Sequence, residues 1–360
     1  MPWRDRSALA LLLGAAAGCQ ARGVGQAPLT TTGPRPSASA AASPPRAQLA
    51  DAYRGQIGAL PIVVRLNQSG TALTGSYFYE KNGTDLTLEG ELQDGGRAVN
   101  LSEFSGKSKT GAIRGRLGPG GAITGTWSDP PAKTTLPLQL FPIAHSPEPG
   151  SALLFTKRLR YSEPIASGHM GTPDACKGDV KFAEVFGMPN VELERKLNRR
   201  LAPGPELLPQ TCDHEEQAEG DYFVGLNTHG VLSVRMTWLV DDSYVAHPVQ
   251  GAAAVNVHLR DGTDISFFGD IFKPGSDATL EAVLAQQIDA TSRGNPDARE
   301  ALTDALAPPF SDFLIEPGGV QVFVLSRLPY AFHALDANGF ELPFAKLATV
   351  RGQAEMVWAR

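Results

Sequence analysis

The chain has 360 residues, 42% hydrophobic and 19% charged, which is globular composition with too little charge for a disordered protein. Lys and Arg number 32 against 38 Asp and Glu, and the net charge of −6 argues against a nucleic-acid binder, which needs a basic face. Three cysteines exclude a disulfide scaffold and a four-cysteine zinc site, and no apolar run reaches the roughly 20 residues of a membrane-spanning helix.

The first 18 residues have the parts of an export signal. Arg4 and Arg6 precede the apolar run Ala8 to Ala17, which ends in small residues before Cys19. A cysteine directly after the exit resembles a bacterial lipoprotein signal, in which the thiol is acylated with palmitate and anchors the chain; the other reading is an ordinary secretory signal with an incidental Cys19. Gln20 in place of an aspartate favours the outer membrane, facing the periplasm or the surface. Loss of residues 1–18 removes Arg4, Arg6 and Asp5, leaving 30 basic and 37 acidic residues and a charge of −7. Residues 19–50, with Pro28, Pro34, Pro36, Pro44 and Pro45 and almost no large apolar side chains, read as a disordered tether.

Residues 51–145 read as all β. Short alternating runs such as Ile62–Leu66, Leu73–Tyr79 and Leu86–Leu88 are separated by turn signals at Gly70, Asn82-Gly83, Asp94-Gly95-Gly96 and Pro119-Gly120-Gly121. About eight strands are expected. A glycine recurs within them, in Leu73-Thr74-Gly75-Ser76, Leu88-Glu89-Gly90-Glu91, Ile113-Arg114-Gly115-Arg116 and Ile123-Thr124-Gly125-Thr126. A glycine inside a strand marks a sharp bend or a close backbone approach, which suits a sheet coiled into a small barrel or meander. Tyr77, Tyr79 and Trp127 are the candidate ligand-binding residues at its mouth.

Residues 146–360 read as an α+β domain with helices on a mainly antiparallel sheet. Asn190 is placed to cap a helix to about Leu201, with Glu192 and Glu194 in its first turn, Arg199 and Arg200 in its last, and Leu193, Leu197 and Leu201 as an apolar stripe. A hairpin turns at Asn227 to Gly230, a further strand spans Ala252 to Leu259, helices follow over about 278–290 and 297–307, and Val320 to Leu325 reads as a final buried strand. Asp213, His214, Glu215, Glu216, Glu219 and Asp221 form an acidic cluster read as a solvated loop. Asp241, Asp242, Tyr244 and His247 form a candidate polar binding site at a strand end. Cys176 and Cys212, in an exported chain, are expected to pair, closing a loop of about 35 residues for roughly 4 kcal/mol.

Several segments occur in a familiar order. They are Val185-Phe186-Gly187-Met188-Pro189-Asn190 before a helix carrying Asn198, Gly220-Asp221-Tyr222 with Gly230-Val231-Leu232-Ser233-Val234, and Ala246-His247-Pro248. Asp261-Gly262-Thr263-Asp264-Ile265 with Asp270-Ile271-Phe272 and Leu328-Pro329-Tyr330-Ala331 follow. Over roughly Leu154 to Val350 they resemble the extracytoplasmic domain of unknown function shared by the lysozyme-sensing anti-sigma factor RsiV and the peptidoglycan deacetylase PdaC. The resemblance implies binding rather than catalysis. No metal spacing, nucleophile elbow or other complete catalytic motif stands in the chain. The expectation is therefore an envelope lipoprotein that is not an enzyme, requires no metal or cofactor, and binds lysozyme, another envelope protein or peptidoglycan. A cell-wall hydrolase with a cryptic site is the alternative.

Overall fold

Strict alternation of side chains governs the first eight strands: β1 (Ala52–Ile57), β2 (Leu60–Ser69), β3 (Ala72–Tyr79), β4 (Leu86–Gln93), β5 (Ala98–Ser105), β6 (Ser108–Leu117), β7 (Ile123–Ser128) and β8 (Thr135–Pro142). The computed structural model describes residues 48–143, 150–164, 175–207, 216–242, 247–336 and 338–352, all within one compact unit, Arg46–Arg360. The signal, Cys19, nearly all of the tether, residues 144–149, Cys212, Asp213, His214, Glu215 and Tyr244 lie outside the described residues.

Each of the eight strands pairs antiparallel with its neighbour, and β1 pairs with β8, so the sheet closes into a barrel. Every second side chain points inward, and Tyr53, Ile62, Val64, Leu73, Leu88, Val99, Ile113, Ile123 and Leu138 are among those filling a single core. The recurring glycines are where strands meet at close quarters. A Cβ on Gly75, Gly90 or Gly125 would lie 2.0, 1.9 and 2.0 Å from the carbonyl oxygen of Arg65, Asn100 and Arg114 respectively.

The α+β part follows. β9 (Leu153–Pro164), β10 (Ala175–Phe186), β11 (Glu216–Thr228), β12 (Val231–Asp242) and β13 (Val249–His258) form one sheet in the order β13-β12-β11-β10-β9. Among the described pairings of these five strands, β10 with β11 is parallel and the others are antiparallel. Asn190 caps α1 (Val191–Leu201), its side chain accepting from the Leu193 N–H at 3.1 Å. Leu193, Leu197 and Leu201 bury against Val234, Val255 and Val257 on one face of the sheet. The other face is covered at one end by α2 (Asp277–Ser292), α3 (Pro296–Ala305) and a small sheet of β14 (Phe313–Glu316), β15 (Gly319–Val322) and β16 (Phe340–Pro343). Ser233 and Asn256 lock that cover on: the Ile315 N–H donates to Ser233 Oγ at 2.8 Å, and Asn256 Nδ2 donates to the Phe313 carbonyl at 2.8 Å.

Barrel and sheet share a small core of Val63, Phe78, Phe155 and Phe186. Arg65 crosses from β2 to bond Glu184, Glu194 and the Val185 carbonyl, with its guanidinium 3.7 Å from the Phe186 ring centre. At the Asn82-Gly83 turn the Gly83 carbonyl accepts from the Arg158 N–H at 3.0 Å. A Cβ on Gly83 would meet that nitrogen at 2.9 Å, and its φ of +69° also favours glycine.

Three boundaries differ from the sequence reading. The acidic stretch from Glu216 to Asp221 is part of β11 rather than loop. The strand after the hairpin begins at Val249, and the expected strand from Val320 ends at Val322, giving way to a single 3₁₀ turn.

Candidate functional site

The end of the sheet left uncovered by the small sheet carries charged and polar side chains at alternate positions, all on one face. Asp179 and Lys181 come from β10, Glu219 and Asp221 from β11, and Arg235 and Thr237 from β12. In-register pairing of Asp179 with Glu219 and of Asp221 with Thr237 puts them side by side. The facing wall is a 3₁₀ segment, Tyr330–Asp336. Between wall and sheet lies a cleft of about 640 Å³, to which His333 and Asp336 contribute from the wall and Arg158 from β9.

The charges are held in pairs. Arg158 chelates Asp179 through Nε and Nη2, and Lys181 Nζ stands 2.7 Å from Asp221 Oδ2. Arg158 and its neighbour Arg160 hold the Asp179 carboxyl below its ordinary value, against the opposing effect of burial. Arg235 is buried, forks onto Asp312 with Nε and Nη2 each at 2.9 Å, and stacks 3.5 Å from the Phe323 ring centre. Asp336 is 4% exposed, and burial pushes its carboxyl up to about 6. The Val324 N–H, donating to it at 3.0 Å, and the Arg235 charge oppose that rise without cancelling it.

Beside the cleft His247 stacks on Tyr330, ring centres 4.5 Å apart and planes 21° from parallel, and Tyr330 lies 5.1 Å from the cleft-lining His333. His333 Nε2 meets the Leu328 carbonyl at 3.1 Å, while its Nδ1 is buried with no hydrogen-bond partner. The Ala-His-Pro and Leu-Pro-Tyr-Ala motifs, more than 80 residues apart in the chain, therefore meet at one edge of the cleft.

Of the strand-end candidates, His247 stands beside the cleft. Asp241 is exposed at the end of β12, two residues along from cleft-lining Leu239 on the same strand face. The side chain of Asp242 and the whole of Tyr244 lie outside the described residues. Tyr77, Tyr79 and Trp127 come together near one end of the barrel, Tyr77 buried in the core and Tyr79 and Trp127 half-buried against it. Tyr77 Oη at 2.6 Å, Trp127 Nε1 at 2.5 Å and Thr110 Oγ1 at 2.6 Å all donate to Glu103, which is 3% exposed. Burial, then the bond to Glu103, drives the Tyr77 hydroxyl far above its ordinary value. Tyr79 packs edge-on to Tyr77 at 5.5 Å. This hydrogen-bonded network borders the packed core of the barrel.

Sequence reasoning missed Glu103, although alternation from Val99 and Leu101 carries it inward. It also missed Arg158, Asp179, Lys181, Arg235, His333 and Asp336. The legible signal was charge at i and i+2 in strands that are otherwise apolar on that face. Cys176 is fully buried at the start of β10. Among the described residues no group of His, Cys, Asp and Glu is arranged to hold a metal ion.

No family model matches the chain. No curated protein matches it. Among solved structures the chain is similar to a member of the DUF3298 family from Bacteroides fragilis, at 15% identity over 58% of this chain and 97% of that one, with a TM-score of 0.45. It is also similar to a DUF3298 family protein from Pseudomonas aeruginosa PAO1, at 14% identity over 56% of this chain and 96% of that one, with a TM-score of 0.40.

Proposed function

We propose that the chain is an envelope lipoprotein, anchored through Cys19, whose α+β part is a non-catalytic binding module. Its partner is lysozyme, another envelope protein or peptidoglycan. The observation that carries this reading is the cleft between the sheet and the Tyr330–Asp336 wall. It is open to solvent, lined by polar groups already fixed by their partners, and flanked by an exposed aromatic stack. Groups fixed on strands need little ordering when a partner arrives, which is what a binding surface gains from a rigid scaffold. A volume of about 640 Å³ falls within the roughly 300–1,000 Å³ of small-ligand sites.

Titration of the full chain with hen lysozyme, and co-sedimentation with purified peptidoglycan, test the module. Saturable binding to either is expected; retention of neither, with no envelope partner recovered, contradicts the reading. Labelled palmitate should enter the chain and be lost in Cys19→Ser. We also propose the Cys176–Cys212 disulfide, supported by the burial of Cys176; neither thiol should react with a maleimide before reduction.

A second reading rests on Asp336. A carboxyl raised to about 6 in a cleft that also holds Asp221 is what a glycosidic general acid requires, so a cell-wall hydrolase is the enzymatic alternative. Clearing of a peptidoglycan suspension that is abolished by Asp336→Asn would establish it.

A further inference from the structure

We infer that the occupant of the cleft is a neutral polyhydroxylated ligand, a stretch of oligosaccharide, rather than an ion or a charged polypeptide. This rests on the cleft being the binding site and concerns only what enters it.

Each cation that lines the cleft already has a carboxylate. Arg158 has Asp179, Lys181 has Asp221, and Arg235 has Asp312. An anionic ligand would compete with those carboxylates; a cationic one would find Glu219 without a cation beside it and would otherwise compete with the guanidinium and ammonium groups. Either competition leaves a displaced group without its counter-charge. A hydroxyl group breaks nothing. It donates and accepts at once, and so bridges the cation and the carboxylate of an intact pair.

The pairs keep capacity for such bridging. Lys181 and Asp221 are 42% and 50% exposed, and Asp179 is 41% exposed. An ammonium has three donors and a carboxylate about four acceptor positions, so the 2.7 Å contact between Lys181 and Asp221 leaves most of both unused. Thr237 and Gln250 add neutral polar groups to the same lining. Vicinal hydroxyls at the spacing of a sugar ring match a cation and a carboxylate standing side by side. The exposed His247–Tyr330 stack supplies what a sugar needs beyond hydroxyl contacts, a flat apolar surface with polar edges for the C–H face of a ring.

The account fixes how affinity responds to salt. A ligand without charge releases no ions on binding, whereas a basic protein drawn to an acidic chain loses affinity steeply as salt screens the attraction. The test is calorimetric titration of the full chain with cellotetraose, maltotetraose and chitotetraose at about 0.05 M and about 0.5 M salt, on either side of the usual screening range. Saturable binding of at least one sugar is expected, with affinity changing less than about threefold between the two salts. Tyr330→Ala, and the double variant Lys181→Met with Asp221→Asn, should each weaken it about tenfold. These side chains are at least partly exposed, and a melting curve matching that of the unaltered chain confirms folding.

The inference is overturned if none of the three sugars binds, if affinity falls threefold or more with salt, or if both variants bind as tightly as the unaltered chain. Hen lysozyme titrated in parallel separates the two levels. Salt-sensitive lysozyme binding that the same variants abolish, with no sugar bound, leaves the cleft as the binding site and removes the glycan. Lysozyme binding that the variants leave intact, with no sugar bound, removes the cleft itself.

Discussion

Glu103 shows how one residue sets the local design. Its carboxyl accepts from Tyr77, Thr110 and Trp127 inside the barrel, so removing it strands buried donors as well as losing the bonds. Glu103→Ala should cost about 3 kcal/mol in urea unfolding; a loss below about 1 kcal/mol would mean that water already serves those donors. Asp336 behaves differently because its carboxyl is raised to about 6. The folded state holds that proton more tightly than the unfolded chain. Its contribution to stability is therefore complete below about pH 4 and is lost as pH rises through about 6, a swing of about 2–3 kcal/mol. Asp336→Asn should flatten that dependence and be the more stable form at pH 8, as measured by denaturant midpoints across the range. Equal destabilisation at both ends would contradict the assignment. The aromatic partners of Glu103 were legible as outstanding strand residues. Glu103 was legible only through its inward register from Val99 and Leu101, and Asp336 not at all, because a lone carboxylate in a sequence reads as solvent-facing until its neighbours in space are known.

Among elements, the barrel strands were the most legible. Their glycines recur because neighbouring backbone occupies the space of a side chain, and that requirement is local enough to leave a pattern. Gly90→Ala would place a Cβ 1.9 Å from the Asn100 carbonyl oxygen and should destabilise the barrel by more than about 3 kcal/mol. Gly118→Ala is the control. Its φ is −97° and its nearest neighbour would be 3.5 Å away, so the change should fall within about 0.5 kcal/mol of neutral. Similar melting temperatures for both variants would refute the packing argument. The helix from Val191 was also legible through its Asn190 cap, its charge order and its leucine spacing. The first half of β11 was not. Glu216, Glu219 and Asp221 break the apolar alternation, and they form a strand because β10 and β12 pair with them on both sides and Lys181 neutralises Asp221. Tertiary pairing overrides local polarity there.

At the scale of the whole molecule, barrel and sheet are tied through Arg65. Its removal would leave Glu194, 7% exposed, without the guanidinium, and would uncover the Phe186 ring. Arg65→Ala should cost about 3 kcal/mol and split unfolding into two calorimetric transitions, one for the barrel and one for the sheet. A single unshifted transition would show that the shared core of Val63, Phe78, Phe155 and Phe186 suffices alone. This joint was not legible in the sequence, since its members lie more than 100 residues apart and carry no shared motif. The cleft was legible in part. His247 and the segment at Tyr330 stood out as motifs, but only the fold brings them together and sets the charged strands beneath them.

The central claim is that this cleft captures a partner. The most direct measurement is binding of the full chain to hen lysozyme and to purified peptidoglycan, beside the Tyr330→Ala chain and the Lys181→Met, Asp221→Asn chain. The account predicts saturable binding to one of the two, weakened at least about tenfold, or 1.4 kcal/mol, in both altered chains. Binding that all three chains share equally, or that none of them shows, would contradict it.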